Sequence, residues 1–265
     1  VNLQGRTALV TGATGGLGQA IARALRARGA SVVVSGRRAD VLEPLAAELG
    51  GRAIMADLAD RADVDRLAAE CGDIDVLVAN AGLPADGPIL EYTPEQLDRA
   101  LDVNLRAPVH LARVLAEPMV ARGAGHVVFV SSLSGKVATA NSGLYSATKF
   151  GLRGFSSGLR QDLAGAGVGV SCVFPGPIRD AGMFHDSGVQ LPKIAGTKSP
   201  QDVADATVRA IERDLHEIEV ATLGGRAWGL VGQVAPVLMS RINARFGGTE
   251  IAAAISGSEA HRSKR

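Results

Sequence analysis

The sequence predicts an α/β chain folded as a doubly wound parallel sheet with helices on both faces. Three observations carry this. Short apolar runs, at residues 7–10, 31–34, 75–78, 126–130 and 168–174, read as strands covered on both sides. Between them lie stretches with helical periodicity, long enough for the crossovers that parallel strands require. A glycine-rich turn stands directly between the first strand and the first helix. A chain of 265 residues can bury a substantial core, and with aromatic residues at 3% that core must be built from Val, Leu, Ile and Ala.

Bulk properties exclude several function classes. Lys and Arg number 28 against 27 Asp and Glu, which argues against a general nucleic-acid binder. Cys71 and Cys172 stand in no ligand-like spacing and read as reduced, buried thiols of a cytosolic protein. The five histidines do not cluster, so no metal site is expected. The opening residues lead straight into a strand, so no signal peptide is expected. No apolar stretch reaches the roughly 18 residues that span a bilayer.

After the first strand, residues 11–18 read Thr-Gly-Ala-Thr-Gly-Gly-Leu-Gly and run straight into a helical pattern. Small residues let the backbone turn tightly and approach a ligand, and a helix N-terminus offers N–H groups to a phosphate. Gly12, Thr14, Gly16, Leu17 and Gly18 are therefore candidate cofactor contacts, with an ordinary glycine-rich turn as the competing reading. The spacing T-G-x-x-x-G-x-G is not the usual G-x-G-x-x-G. It resembles the short-chain dehydrogenase/reductase family, in its classical branch.

The second strand ends in Ser35-Gly36-Arg37-Arg38. No acid stands there to hold a ribose 2′-hydroxyl. The guanidiniums of Arg37 and Arg38 suit a 2′-phosphate and favour NADP(H) over NAD(H); a solvated helix start is the alternative. Many NADP-dependent members of the family carry a basic residue inside the glycine motif, where this chain has Gly15. After a third strand at 52–55, Asp57 and Leu58 stand where the resemblance implies adenine contacts, by the carboxylate and the next backbone group. A helix N-cap is the other reading of Asp57. Asn80 follows the fourth strand in Ala79-Asn80-Ala81-Gly82, where the family usually has Asn-Asn-Ala-Gly; it is expected to brace the sheet and approach the cofactor.

The chemistry centres on residues 131–149. Tyr145 and Lys149, four apart, share one helix face. A nearby cation favours a phenolate, and bringing a tyrosine towards neutrality takes about 4 kcal/mol of differential interaction. Such pairs arise often by chance. Ser132, thirteen residues before Tyr145, matches the family's separation, whereas Ser131 is expected to bond back to the strand. Asn104 lies within a long helix expected over residues 94–120, where a polar residue is neither a good helix former nor cheap to bury. The resemblance makes Asn104, Ser132, Tyr145 and Lys149 a catalytic tetrad. In it Lys149 lowers the tyrosine pKa and holds ribose hydroxyls, and the Asn104 backbone orders a water.

A sixth strand ends in Pro175-Gly176-Pro177-Ile178-Arg179-Asp180. The resemblance places cofactor contacts at Pro175 and at the Ile178 backbone, but Asp180 replaces the threonine whose hydroxyl usually meets the carboxamide. Residues 179–199 lack periodicity and read as a lid, with Met183 and Phe184 closing over an apolar substrate or anchoring the loop. Ser199 and Pro200 read as the N-cap and first position of a helix. Residues 226–250 form an apolar helical extension with three readings: a substrate-covering or dimer-packing helix, an interfacial membrane helix with Arg241 and Arg245 as its basic side, or a mobile end. Residues 251–265 read as disordered.

The resemblance covers residues 3–222. It implies a Rossmann-like seven-stranded sheet of order 3-2-1-4-5-6-7, one catalytic domain over residues 1–225 including the lid, and a homodimer or homotetramer. The implied activity is NAD(P)(H)-dependent oxidoreduction of a CH-OH/C=O pair, as a cytoplasmic NADPH-using reductase of an apolar ketone, acyl or steroid-like substrate. A non-catalytic nucleotide-sensing protein of the same fold is the alternative, against which the intact tetrad speaks.

Overall fold

The computed structural model describes residues 1–189 and 196–245, together with Ala254 and Gly257. Seven strands form one sheet: β1 (Thr7–Thr11), β2 (Ser31–Gly36), β3 (Arg52–Met55), β4 (Val76–Ala79), β5 (Gly125–Val130), β6 (Val168–Pro175) and β7 (Glu217–Val220). Their order is β3-β2-β1-β4-β5-β6-β7, and every neighbouring pair is parallel. This is the Rossmann-like doubly wound arrangement. The order reverses between β1 and β4, so a crevice opens beyond their carboxyl ends.

Alternation along the strands divides the core into two layers. Leu9, Val33, Leu77, Val127 and Phe129 face one side, where they pack with residues of α3 (Arg61–Glu70), α5 (Ala107–Ala121) and α6 (Gly143–Asp162). Val10, Val32, Val34, Val78 and Val128 face the other, against α1 (Gly16–Ala27), α2 (Ala39–Leu49) and α8 (Pro200–Arg213). With both faces covered, β4 and β5 are buried throughout, as their apolar sequences require.

The helix expected over residues 94–120 runs unbroken to Ala121 but contains one π turn. α4 (Pro94–Leu101) and α5 flank Asp102–Arg106, whose wider turn carries Asn104. Ser199 caps α8 as expected, its hydroxyl accepting from Asp202 N at 3.1 Å, with Pro200 first in the helix. The stretch expected as an irregular lid holds a short helix, α7 (Met183–Asp186), and a parallel bridge between Ile178 and Lys198 fastens its ends. Residues 190–195 of that stretch lie outside the described residues. The C-terminal extension is helical from Leu223, as α9 (Leu223–Val234) and α10 (Pro236–Arg245). The tail expected to be disordered lies outside the described residues, apart from Ala254 and Gly257.

Candidate active site

The turn after β1 is built for close backbone approach. Gly12 has φ +67°, and a Cβ there would lie 2.7 Å from Ala81 Cα. A Cβ on Gly18 would lie 2.4 Å from the Gly12 carbonyl oxygen, so α1 can start tight against the turn only with glycine there. Gly15 caps α1 without a side-chain bond, and no acid stands in the first helical turn. The helix therefore presents its first N–H groups to an anion. Asn80 braces this turn: its Nδ2 donates to Thr11 O at 3.0 Å, while the backbone N–H groups of Asn80 and Ala81 both reach Thr11 Oγ1 at 3.1 Å. Thr11, buried and accepting both, is a brace that sequence reasoning missed.

At the end of β2 the two arginines differ. Arg38 Nη2 donates to Thr14 O at 2.6 Å and so ties the start of α2 to the glycine turn. Arg37 is half exposed, its Nη1 3.9 Å from Asp57 Oδ2. Asp57 does not cap a helix, because Asp60 caps α3 by accepting from Ala62 and Asp63 N–H. Asp57 Oδ1 accepts from Ala59 N at 3.1 Å, and Oδ2 accepts from Arg99 Nη2 at 3.2 Å. Leu58 is buried beside it.

Ser132 stands just past β5 and accepts from Ser134 N, which opens a tight turn at Leu133–Gly135. Ser131 does not bond back to the strand: its Oγ donates to Lys149 O at 3.0 Å and so pins α6 to the strand end. Tyr145 lies in the first turn of α6, its N–H donating to Ala85 O at 3.2 Å, and its buried phenol lies close enough to Ser132 for the serine to favour the phenolate. Lys149 is buried, with Nζ donating to Val130 O at 3.1 Å and lying 5.5 Å from the centre of the Tyr145 ring. Asn104, fully buried, holds the backbone of Leu83 with both ends of its amide: Oδ1 accepts from Leu83 N at 2.7 Å and Nδ2 donates to Leu83 O at 2.9 Å.

The protein's own groups favour the neutral phenol. Burial raises the Tyr145 pKa well above the ordinary tyrosine value; the Asp86 carboxylate pushes the same way, and Ser132 only partly opposes them. Burial also lowers Lys149 to about 8, so the cation expected to depress the tyrosine is itself weakened. The protein alone thus holds a protonated phenol beside a readily neutralised amine. Asp86 was not singled out from sequence, since nothing local marks it as a neighbour of Tyr145.

Beyond β6, Arg179 N–H donates to Lys198 O and Lys198 N–H to Pro177 O, which turns the Ile178 N–H and C=O to the other side of the bridge. Asp180 is in the left-handed region at φ +70°, largely exposed, and pairs with Arg179 at 3.3 Å. Ala181 presses on the glycine turn, since a Cβ on Gly16 would meet Ala181 Cβ at 2.3 Å. Met183 reaches further in: a Cβ on Gly82 would lie 3.6 Å from Met183 Cε and 3.5 Å from both Lys149 Nζ and Asn104 Oδ1.

One cleft of about 1260 Å³ joins these parts. Gly12, Thr14, Gly16, Leu17, Gly18, Arg37, Arg38, Asp57, Leu58 and Asn80 line it, as do Ser132, Tyr145, Lys149, Pro175, Ile178, Met183 and Phe184. Of the residues singled out from sequence, Asn104 stands behind the wall. Trp228 of α9, within the extension read as a substrate-covering or dimer-packing helix, also lines the cleft; Leu133 and Arg99 line it too and were not anticipated, since their contacts cross long stretches of chain.

Comparisons with known proteins agree with this fold. The family described as short chain dehydrogenase matches residues 6–190. A ketoacyl reductase, HetN, of a Nostoc species is 36% identical over 259 residues, covering 92% of this chain and 90% of that protein. Among solved structures, a short-chain dehydrogenase from Sphingobium yanoikuyae in complex with NADPH superposes with a TM-score of 0.77 at 28% identity, covering 89% of this chain and 95% of that one. A 3-ketoacyl-(acyl-carrier-protein) reductase from Brucella melitensis complexed with NADH gives 0.73 at 28% identity, covering 82% and 97%. The chain belongs to the short-chain dehydrogenase/reductase family, as an oxidoreductase acting on CH-OH/C=O pairs.

Proposed function

We propose that this chain is an NADPH-using reductase of a carbonyl on an apolar ketone, acyl or steroid-like substrate. The observation that carries the reading is the grouping of Tyr145, Ser132 and the buried Lys149 in the one cleft that also contains the glycine turn. The residues present fit a nicotinamide adenine dinucleotide. Gly12 and Gly18 let the turn and α1 pack tightly enough to bring backbone N–H groups to it, the start of α1 suits its pyrophosphate, and Asp57 and Leu58 suit its adenine. Arg37 favours a 2′-phosphate, because its guanidinium is held only loosely at Asp57 while Arg38 is engaged by Thr14 O.

The dinucleotide, when bound, supplies the hydride. Tyr145 donates its proton to the carbonyl oxygen, and burial suits it to this by keeping the phenol protonated at neutral pH. Ser132 Oγ–H donates to the same oxygen, where charge develops. Lys149 holds the ribose hydroxyls and feeds a proton back towards Tyr145. Asn104 fixes the π turn whose backbone orders a water beside that lysine. Apolar substrate specificity finds support in Leu133, Met183, Phe184 and Trp228 along the cleft, and in the ketoacyl names of two relatives. Subunits of a homo-oligomer meet across the α4–α6 face, where Phe150 is exposed and Gly154 and Gly158 leave open space.

Replacement of Tyr145 by Phe tests the assignment. The variant is expected to keep the NADPH-induced rise in melting temperature and to lose about 10³-fold or more in turnover against a panel of 3-ketoacyl thioesters and bulky ketones. A variant that turns over at the parent rate would overturn the role given to the phenol. A parent enzyme that binds NADPH but reduces no member of the panel would overturn the substrate class.

A further inference from the structure

Helix α9 is inside out for a helix on a protein surface. Apart from Trp228, which packs on the core, its inward face is small: Gly229 and Gly232 are buried, and a Cβ on Gly232 would lie 2.3 Å from Val137 Cγ2. Its outward face is apolar, with Leu223 84%, Leu230 63% and Val234 75% exposed. α10 continues the patch with Val237 at 65% and Leu238 at 52%. Soluble helices show the opposite pattern, and a continuous exposed patch of this kind marks an interaction surface.

The charge around the patch tells what it meets. From Leu223 to Arg245 there is no Asp or Glu, while Arg226, Arg241 and Arg245 are all exposed. Arg226 spends one donor on Glu219 O, and that carbonyl leaves its positive charge uncancelled. In a two-fold contact between two copies, this face would meet itself, and it carries no acid to answer its arginines. A leaflet of anionic lipid supplies both partners at once, acyl chains for the leucines and valines and headgroup charge for the guanidiniums.

We propose that the outward face of α9 and α10 docks this chain peripherally on an anionic lipid surface. The contact lies in the interface, since no helix among the described residues is long and apolar enough to cross a membrane. Trp228, Gly224 and Gly225 of the same helix line the catalytic cleft, so docking brings the mouth of that cleft to the lipid. An apolar substrate would then enter from the bilayer; this last point rests on the substrate class proposed above, whereas the docking does not.

The test is co-sedimentation of the full chain with vesicles of phosphatidylcholine alone, or with about one-third phosphatidylglycerol, alongside the double variant Leu230→Asp/Val234→Asp. Both positions are exposed and outside the cleft, so matched melting temperatures and matched turnover in free solution would show the variant intact. The expected result is roughly tenfold or greater preference for the anionic vesicles, weakened by high salt and lost in the variant. No sedimentation with either vesicle overturns the proposal, as does binding that the variant leaves unchanged, which would assign it to another segment. A variant that turns an oligomer into a smaller species, with no vesicle binding by the parent, makes a second copy of the chain the occupant and overturns it too.

Discussion

Arg37 and Arg38 are adjacent in sequence, yet the fold gives them different work. Arg38 is committed to the carbonyl of Thr14, whereas Arg37 sits at the rim with only a 3.9 Å approach to Asp57. A 2′-phosphate arriving there would meet the freer guanidinium, and a charge-assisted pair of this kind is worth about 1.5–3 kcal/mol. NADPH is therefore expected to raise the melting temperature more than NADH does, and Arg37→Ala to weaken NADPH about tenfold while leaving NADH nearly unchanged. Equal stabilisation by both dinucleotides, unaffected by the substitution, would remove the basis for the NADP preference. The positions of Arg37 and Tyr145 were legible because each sits at a fixed offset from the end of a strand or the start of a helix. Their partners were not: Asp57 meets Arg99, and Asp86 biases Tyr145, through contacts that no local spacing encodes.

At the scale of the element, the π turn that interrupts the regular winding between α4 and α5 is the clearest departure from expectation. Periodicity over residues 94–120 reads as one helix, because a π turn adds a single residue and barely disturbs an apolar pattern. What marks the turn is Asn104, whose amide satisfies the backbone of Leu83 across to the segment after β4. That segment also supplies Ala85 O to the N–H of Tyr145, so one clamp positions the loop on which the catalytic helix begins. Asn104→Leu leaves a buried N–H and C=O unpaired and is expected to cost about 2–4 kcal/mol in stability. Turnover should fall as well, and Asn104→Asp, which keeps the acceptor for Leu83 N–H but loses the donor, should fall between the two in a denaturant titration. If Asn104→Leu unfolds at the parent midpoint, the clamp is not what holds the turn.

Across the whole molecule, the sheet has a chemical end and a structural end, and the structural end sets the response to acid. His126, at the start of β5, is fully buried far along the strand from Ser132. Ser171 Oγ donates to Leu215 O, so it accepts from His126 Nε2 at 2.8 Å, and Nδ1 is left bare with no partner among the described residues. A second proton would have to enter at that buried nitrogen. Burial therefore lowers its pKa to about 4; Asp214 pulls upward, while Arg160 pushes further down. The unfolded chain takes up this proton near pH 6.5, before the folded one can, so the folded state is fully favoured above pH 6.5 and loses ground as pH falls towards 4. The carboxylates held below their ordinary values, such as Asp63, Asp202 and Asp214, withdraw their contribution only at lower pH. The interval from pH 6.5 to 5 thus belongs to His126 and is worth about 2 kcal/mol. Urea titrations at pH 7 and pH 5 should show the parent losing about that much more than His126→Asn, whose amide can still bond Ser171 without titrating. Parallel losses in the two proteins would move the acid sensitivity elsewhere in the fold.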